Sequence, residues 1–439
     1  MKTIVFSLLA LLGIQAYGHS PAPASAANPL IELETPGGSK MLTDWMSVHI
    51  TAIRNCKVPS HHNRQLAYMG VALYESVVAG DPNYRSLAGQ LNGYTATPAM
   101  PVSREICWQA SANSALAETF RHFYPENPVT LQRIDSMEQS CKKQLVTQGF
   151  SEASVNSGAE YGFQVAHAVI VWSKSDGDDK ADAPFTVPRG PGLYEPTPPA
   201  FIPPIHPYMG NCRTFVKGSI DNTIPPPPVA FSEDRQSPFF AMVDEVYRVS
   251  QQNDDEKVAT ALFWDDFPNG KTLTGGGHWE SILKNVMSQL NLSYIEGAHV
   301  YAELFITMED AAIGCFKAKY TYNLLRPITY IHKYMHQPDW NSLIATPPHP
   351  EYPAAHATVS MAGATILTSI LGDRVSFTDN TYAYRGYKPH HFKNFTEAGR
   401  EAGMSRLYGG IHYLPSIEAG YKQGEIIAAN IDNKLVFKN

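Results

Sequence analysis

Apolar residues recur at helical spacing through most of the chain, and this periodicity limits the fold more than any other feature. Leu66, Met69, Leu73 and Val77 repeat every three or four residues, which places them on one face of a helix. No run of alternating polar and apolar residues indicates a strand, and no repeat of about 20–50 residues indicates a solenoid. The sequence therefore predicts an all-α fold, built as one large helical bundle or two packed bundles.

A proline-dense segment interrupts this pattern at residues 183–232. It contains two Pro-Pro pairs and a four-proline run at 225–228, a density that no helix tolerates. Apolar side chains such as Phe201 and Phe215 indicate an ordered loop that wraps the helical body. The predicted organisation is a signal peptide at 1–18, a flexible N-terminal arm at 19–40, a helical region at 41–182, the wrapping loop at 183–232 and a C-terminal helical region at 233–439.

The N-terminus has the layout of a secretory signal. Lys2 precedes an apolar run over residues 4–14, and Ala-Tyr-Gly at 16–18 has the small-x-small form of a cleavage site. The run is too short to span a membrane. We therefore expect a secreted protein, extracellular or periplasmic, in which the five cysteines allow up to two disulfides.

Charge and composition exclude several classes of function. The 439 residues include 34 Lys and Arg against 41 Asp and Glu, so no basic field favours nucleic acid or an anionic membrane as a partner. Hydrophobic residues make up 44%, which excludes a chain that is disordered throughout. Only 17% of the residues are charged, so cations within apolar stretches are conspicuous.

Three short segments in the last third of the chain combine cations and histidines. The first is Lys319-x6-Arg326-Pro327, in which seven residues of helix would make about two turns and place both cations on one face. We expect Pro327 to end that helix. Taken alone, such a pair is more typical of a solvated helix face, although its apolar neighbours disfavour plain solvation.

The second segment is Pro353-Ala354-Ala355-His356, in which a proline and small residues precede an apolar run, as is typical of a helix N-terminus. The backbone amides of such a terminus bind anions, and His356 would lie beside them in the first turn. The titration range of histidine suits general acid–base chemistry, and a structural histidine is equally compatible with the pattern.

The third segment is Ser405-Arg406-x5-His412. The glycine pair at 409–410 predicts that the helix ends there and that the chain turns back, presenting His412 beside Arg406. We expect Ser416 to be the N-cap of the next helix. The alternative is a helix C-cap followed by an incidental histidine.

Together the segments supply three cations, a helix N-terminus and two histidines. That set suits a tetrahedral oxyanion held by charge-assisted hydrogen bonds, with one histidine as nucleophile or ligand and the other as acid or base. The order and spacing of the motifs over residues 319–416 resemble the signature of the vanadium-dependent haloperoxidase and type 2 phosphatidic acid phosphatase superfamily. The wider resemblance is to its soluble secreted haloperoxidase-like branch, and it implies a large helical-bundle fold.

The resemblance implies a role for each motif residue. Vanadate or phosphate oxygens would be bound by Lys319, Arg326, Ala355 and Arg406. His412 would be the vanadium ligand or the phosphorylated nucleophile, and His356 the acid or base. In a haloperoxidase, the vanadate cofactor would use hydrogen peroxide to oxidise halide, and the product would halogenate a small organic substrate. In an acid phosphatase, the same pocket would take a phosphomonoester without a cofactor, through a phosphohistidine.

Two positions depart from the family pattern. The second motif usually reads Pro-Ser-Gly-His, and Ala354 lacks the serine hydroxyl, a donor worth ~1.5–3 kcal/mol of oxyanion binding. The third motif usually continues His-x3-Asp, and Ser416 offers a hydroxyl in place of the carboxylate that would orient His412. The departures favour a third alternative, a catalytically impaired homologue that binds an oxyanion.

Two further positions bear on the choice of halide. In the family, the residue seven before the motif histidine tends to be His in bromoperoxidases and Phe in chloroperoxidases, and here it is His349. Phe316, three before the motif lysine, does not match the bromoperoxidase pattern. The resemblance thus favours bromide or iodide over chloride. A homodimer is among the assemblies that the sequence allows.

Other candidate residues have weaker patterns. His278 follows three glycines and is expected to lie at a helix start in a structural role. His61 and His62 have no carboxylate at ligand spacing, so a metal site there is not expected. We expect Asp310 to be a buried hydrogen-bonding carboxylate. The acidic residues at 176–182 lack the spacing of an EF-hand and are expected to form a solvated loop.

Overall fold

The computed structural model describes residues 33–35, 38–55, 61–101, 105–252, 254–267 and 272–439. The predicted signal peptide at 1–18 and most of the predicted arm at 19–40 lie outside the described residues. Within them, no helix has the length and apolar character needed to cross a membrane. Cys141, Cys212 and Cys315 are thiols, so the five cysteines do not form two disulfides.

Thirteen α-helices account for most of the described chain, which confirms the all-α prediction. Those before the proline-rich segment are α1 (Lys40–Asn55), α2 (His62–Glu75), α3 (Trp108–Phe123), α4 (Pro128–Thr147) and α5 (Glu152–Ser173). Those after it are α6 (Pro238–Gln251), α7 (Asp255–Phe263), α8 (Gly275–Leu290), α9 (Tyr294–Tyr322), α10 (Pro327–Lys333), α11 (Ala355–Leu371), α12 (Phe395–Tyr408) and α13 (Leu414–Asp432). Two short strands, β1 (Phe377–Asp379) and β2 (His390–Phe392), pair antiparallel with Phe377 opposite Phe392.

The 29-residue helix α9 lies at the centre of the hydrophobic core. Most of its residues are buried, because it packs against α2, α11 and α13. Helix α2 precedes the proline-rich segment in the chain, whereas α11 and α13 follow it. Helices from both sides of that segment therefore share one core.

The close approach of α11 and α13 brings two of the sequence motifs together. Gly424 in α13 permits this approach, because a Cβ there would clash with the carbonyl oxygen of Thr358 in α11. At the N-terminal ends of the two helices, the amide of Ala354 donates to the carbonyl oxygen of Ser416 at 3.0 Å. The helix start that carries His356 therefore lies beside the turn that carries His412.

The proline-rich segment lies along α9. Between α5 and α6, regular structure in the described chain is limited to the 3₁₀ turns Asp178–Lys180 and Met209–Asn211. The amide of Tyr194 donates to the carbonyl oxygen of Asn323 at 2.7 Å, and the amide of Phe215 donates to the carboxylate of Asp310 at 2.6 Å. Asp310 is thus the buried hydrogen-bonding carboxylate that the sequence predicts, and it fixes the segment on α9.

One expected helix boundary is wrong. Helix α9 ends at Tyr322, because Asn323 adopts a left-handed conformation with φ of 48°. Pro327 begins α10 instead of ending α9, in keeping with its fixed φ and missing N–H. Lys319 and Arg326 therefore do not share one helix face, and only the tertiary structure brings them together.

Candidate active site

Lys319 and Arg326 are both fully buried and reach the same loop from different elements. Lys319 lies near the end of α9, and its Nζ donates to the carbonyl oxygens of residues 350–351, both at 2.9 Å. Arg326 is the N-cap residue of α10, and its guanidinium donates to the carbonyl oxygens of His349 at 2.8 Å and Ile411 at 3.0 Å. The loop before α11 and the turn before α13 are therefore joined through these two cations.

The acceptors of these two cations are neutral carbonyl oxygens and imidazole nitrogens, which orient the positive charge without cancelling it. Burial lowers the pKa of Lys319 to about 7, and burial also lowers the pKa of Arg326. A bound anion would oppose both shifts, because a nearby negative charge favours the protonated form. The pair is therefore suited to hold an anion.

The N-terminus of α11 follows the loop that Lys319 holds. Ala354 is the N-cap residue, and it has no side-chain hydrogen bond to the first turn. The amides of that turn, including Ala355 and His356, therefore remain for a ligand, and the helix dipole favours a negative one. The structure thus places the predicted Ala355 donor at an uncapped helix start.

His412 is buried in the turn between α12 and α13. Its Nδ1 lies 2.7 Å from Glu351 Oε1, and its Nε2 lies 3.1 Å from Arg326 Nη1. Because a carboxylate accepts and a guanidinium donates, these contacts assign the ring proton to Nδ1 and a lone pair to Nε2. Burial, followed by the neighbouring Arg326, holds the pKa of His412 well below its usual range. The ring is therefore neutral, which is the form that binds metals.

Glu351 is a residue of the candidate site that the sequence analysis missed. It is fully buried, and its carboxylate accepts from the amide of Tyr413 at 3.0 Å and from Ser416 Oγ at 2.6 Å. Ser416 therefore orients a carboxylate that another segment supplies, in place of the aspartate that the family pattern has at this position. The expectation that Ser416 is an N-cap is wrong, since Tyr413 is the N-cap residue and Pro415 occupies the first turn.

We expect Glu351→Gln to weaken vanadate binding by roughly 10–100-fold, the usual effect of losing the partner that orients a metal-binding histidine. Removing the negative charge of Glu351 would by itself increase the affinity for an anion. A lower affinity would therefore show that the loss of His412 orientation outweighs this charge effect. The measurement is the dissociation constant of the purified protein for vanadate. Ser416→Ala is the matched control with a smaller expected loss, and equal affinity of wild type and Glu351→Gln would contradict the role of Glu351.

Arg406 enters the site from the last turn of α12. Its guanidinium donates to the carbonyl oxygen of Trp264, and its Nε donates to Ser405 Oγ at 3.0 Å. Burial lowers the pKa of Arg406 to about 10, so the side chain stays charged at neutral pH. Trp264 directly follows α7, which makes the end of that helix part of the site.

His356 keeps about a quarter of its side chain exposed (24%) and contacts a buried polar array. Its Nε2 lies 3.3 Å from Asp266 Oδ2. The other oxygen of Asp266 lies 2.8 Å from His278 Nδ1 and accepts from Tyr382 at 2.7 Å. The Nε2 atom of His278 lies 2.8 Å from Asp379 in β1. Sequence spacing gave no sign of Asp266, which lies 90 residues before His356.

The protonation states in this array follow from burial and charge. Burial alone would lower the pKa of His278, but Asp266 and Asp379 overcome it and raise that pKa to about 10. Burial, followed by Arg406, lowers the pKa of His356. At neutral pH the array therefore holds a cationic His278 between two carboxylates and leaves His356 neutral, with a ring nitrogen that can accept a proton. His278 lies in the first turn of α8, as expected, and it also fixes Asp266.

Of the two halide-tuning candidates, His349 contacts Arg326 and Phe316 contacts His349. The Nδ1 atom of His349 lies 3.0 Å from Arg326 Nη2, and the ring of Phe316 lies 5.1 Å from the ring of His349. Burial, followed by Lys319, holds the pKa of His349 well below its usual range, so this ring is neutral. The structure therefore places a neutral imidazole and an aromatic ring next to the cations.

Residues 176–182 do not form a simple solvated acidic loop. Asp176 is buried, and its carboxylate lies 2.5 Å from Arg64 Nε. Asp178 and Asp182 both face His61, so carboxylates do reach this histidine, from a part of the chain that local spacing does not indicate.

The residues of the site fit a tetrahedral oxyanion such as vanadate. An ammonium has three N–H donors and a guanidinium has five, so Lys319 and Arg406 keep donors beyond those used for protein acceptors. Buried positive charge of this kind is stabilised by a bound anion. The lone pair on Nε2 of His412 would supply a ligand atom for the metal of such an oxyanion.

Solved structures of bacterial vanadium-dependent peroxidases are similar to the chain. An iodoperoxidase, described as the first bacterial one that depends on vanadium, is 34% identical with a TM-score of 0.84, over 91% of this chain and 97% of that chain. A holo-type bacterial vanadium-dependent chloroperoxidase is 14% identical with a TM-score of 0.64, over 93% and 96% of the two chains, and its likeness concerns the fold. Residues 299–436 match the family described as the VCPO second helical-bundle domain. No curated protein sequence matches the chain.

Proposed function

The chain belongs to the vanadium-dependent haloperoxidase family, which makes it an oxidoreductase, and from this premise we propose that it oxidises iodide or bromide with hydrogen peroxide and vanadate. One observation carries the proposal furthest. The Nδ1 of His412 is bound to buried Glu351 while Nε2 faces Arg326, so the ring presents a lone pair inside a cationic site. This is the arrangement that a metal oxyanion with a histidine ligand requires.

Different side chains would bind the oxygens and the metal of vanadate. Lys319, Arg326 and Arg406 bind the oxygens of vanadate, together with the first amides of α11. His412 supplies the ligand atom Nε2, and Glu351 keeps its proton on Nδ1. When bound, vanadate supplies an electron-poor metal centre that activates hydrogen peroxide toward halide.

His356 would move the protons. Its Nε2–H donates to Asp266, which leaves Nδ1 as the basic atom of a neutral ring. Because the side chain is partly exposed, hydrogen peroxide can reach it from solvent and lose a proton to Nδ1. The pairing of Asp266 with His278 keeps the orientation of His356 constant through the cycle.

Iodide or bromide is favoured over chloride by two observations. His349 occupies the position at which chloroperoxidases of the family tend to have Phe, and it contacts Arg326 in the site. The 34%-identical structure is that of an iodoperoxidase. A large polarisable halide is oxidised more easily than chloride, so a weakened oxyanion site with Ala354 in place of serine is compatible with it.

The test is a halide-by-peroxide assay on the purified protein, with and without prior vanadate loading. We expect peroxide-dependent triiodide formation only after loading, with a lower rate for bromination of a phenol dye and the lowest rate for chloride. A folded, vanadate-incubated sample that oxidises no halide would contradict the proposal. Release of phosphate from p-nitrophenyl phosphate, inhibited by vanadate, would instead favour the phosphatase alternative.

Vanadate affinity should fall as pH rises above about 7, because Lys319 then loses its proton. The sign follows from the lowered pKa of the free protein. Below pH 7 the ammonium is charged and binds the anion, and above it the neutral amine does not. The measurement is the vanadate dissociation constant at pH 6, 7, 8 and 9, compared with Lys319→Gln in the same solutions. The variant, which cannot titrate here, should be weaker than wild type at pH 6 and approach it at pH 9, and a pH slope equal to that of wild type would contradict the assignment.

We also propose that the protein is exported, as the apolar run at 4–14 and the Ala-Tyr-Gly sequence at 16–18 support. N-terminal sequencing of the protein from the periplasm or medium should begin at His19. An uncleaved N-terminus on a protein retained inside the cell would contradict this. The homodimer stays a prediction that light scattering can test.

A further inference from the structure

A cluster of two histidines and one aspartate lies outside the oxyanion site. Asp182 directly precedes the proline-rich segment, His206 lies within it, and His61 directly precedes α2. Candidate ligand atoms of these three residues all lie within 4.8 Å of one another. The proposed haloperoxidase function does not use this cluster.

The ring nitrogens of the cluster converge on one point. His61 Nε2 lies 2.5 Å from His206 Nδ1 and 3.7 Å from one oxygen of Asp182. The other oxygen of Asp182 lies 3.0 Å from His206 Nδ1. Donor atoms of a tetrahedral zinc site lie roughly 3.3 Å apart, given Zn–N and Zn–O bonds of about 2.0–2.2 Å. An ion at the centre therefore needs adjustments of under about an ångström in these side chains.

The surroundings of His61 are those of a metal-binding histidine. Its second nitrogen, Nδ1, contacts the carboxylate of Asp178, and Asp178 in turn lies 3.6 Å from Arg64 Nη1. A carboxylate behind the histidine places the proton on Nδ1 and directs the lone pair of Nε2 to the cluster, as in carboxylate–histidine–zinc triads. This second contact is independent of the convergence of the three ligand atoms.

Backbone conformation and hydrogen bonds fix the position of His206. Its φ of 55° lies in the left-handed region, and its amide donates to Asp182 at 2.7 Å. The preceding residue, Ile205, donates its amide to the carbonyl oxygen of Pro348 at 2.9 Å. His206 and Asp182 are therefore held together before any ion binds, which lowers the entropic cost of binding.

We propose that His61, Asp182 and His206 form a site for one Zn²⁺ ion, which fastens the proline-rich segment to the start of α2. Two imidazoles and a carboxylate are a ligand set that zinc takes in proteins, and they leave a fourth position for water. His61 is 6% exposed whereas Asp182 is 47% exposed, so the carboxylate side provides the path for entry. The ring of His206 lies 5.5 Å from that of Phe316, and Phe316 contacts His349. The ion would therefore also restrict the motion of Phe316 next to His349.

Calorimetric titration of the chelator-treated full chain with Zn²⁺, in the absence of vanadate and phosphate, tests the proposal. We expect one Zn²⁺ per chain at micromolar affinity or better, a higher melting temperature and slower proteolysis within residues 183–232. His61→Gln and Asp182→Asn should each weaken binding at least tenfold. The matched controls are His167→Gln on the exposed face of α5 and Asp179→Asn beside the cluster, both of which should bind like wild type.

Asp182 is half exposed, so Asp182→Asn keeps the test valid even if His61→Gln does not fold. Absence of stoichiometric Zn²⁺ binding would overturn the proposal and leave a hydrogen-bonded histidine pair. Binding that is unchanged in His61→Gln and Asp182→Asn would also overturn it, because the ion would then lie elsewhere. Failure of the halide assay would not affect either result, since the zinc titration needs no vanadate.

Discussion

His412→Ala should lower vanadate-dependent iodide oxidation by at least about a thousandfold, to the level of the protein without vanadate. The substitution removes Nε2, the ligand atom that faces Arg326, and with it the fixed contact between protein and metal. Loss of an orienting partner alone costs about 10–100-fold in metal affinity, and loss of the ligand itself should cost more. The measurement is kcat/KM for iodide over a range of vanadate concentrations.

A second variant separates this loss from a folding defect. Truncation to alanine leaves the carboxylate of Glu351 without the Nδ1–H that it contacts at 2.7 Å. His412→Asn returns an N–H donor near that position but no atom at Nε2, so it should fold like wild type and remain inactive. His167→Ala on the exposed face of α5 is the control for loss of an imidazole. Activity of His412→Asn within tenfold of wild type would rule out His412 as the ligand.

Asp266→Asn should lower the free energy of unfolding by ~3–5 kcal/mol, because it breaks a buried ion pair and leaves the other partner charged. The carboxylate of Asp266 lies 2.8 Å from His278, whose pKa is raised to about 10. The pKa of His278 is higher in the folded protein than its value of about 6.5 in the unfolded chain, so the ion pair stabilises the fold. This stabilisation is complete below the pKa of the unfolded chain and is lost as pH rises through the pKa of the folded protein. The difference between wild type and variant should therefore be greatest near pH 6 and shrink toward pH 10.

The same substitution should change the pH dependence of halide oxidation, which a merely structural role would not. Asp266 raises the pKa of His356 against the effects of burial and Arg406. Without that carboxylate the pKa of His356 should fall further, and the acid limb of the rate profile should move to lower pH. Chemical denaturation and the rate profile are measured with Asp373→Asn, an exposed position, as control. An unmoved acid limb would show that Asp266 does not act on His356.

The sequence was sufficient for the fold class and for the cationic and histidine motifs that we propose to bind an oxyanion. Helical periodicity determines which faces are buried, and this is a local property that sequence spacing records. The motifs around Lys319, His356 and His412 likewise depend on short spacings, and the structure brings all three segments together. The helical geometry inferred for Lys319 and Arg326 was wrong, because Asn323 ends α9 between them.

Only the tertiary structure decided which carboxylates serve the site. Glu351 lies 61 residues before His412, and Asp266 lies 90 residues before His356, so no local spacing relates them. Likewise, His61 meets Asp182 and His206 only because the proline-rich segment lies back on the helical body. The physical reason is that a hydrogen bond or metal ligand needs distance and direction in space, which long loops make independent of position in the chain. The sequence by itself therefore determined the helical body and its cationic motifs, and the packing of distant segments decided the partners that set their protonation and orientation.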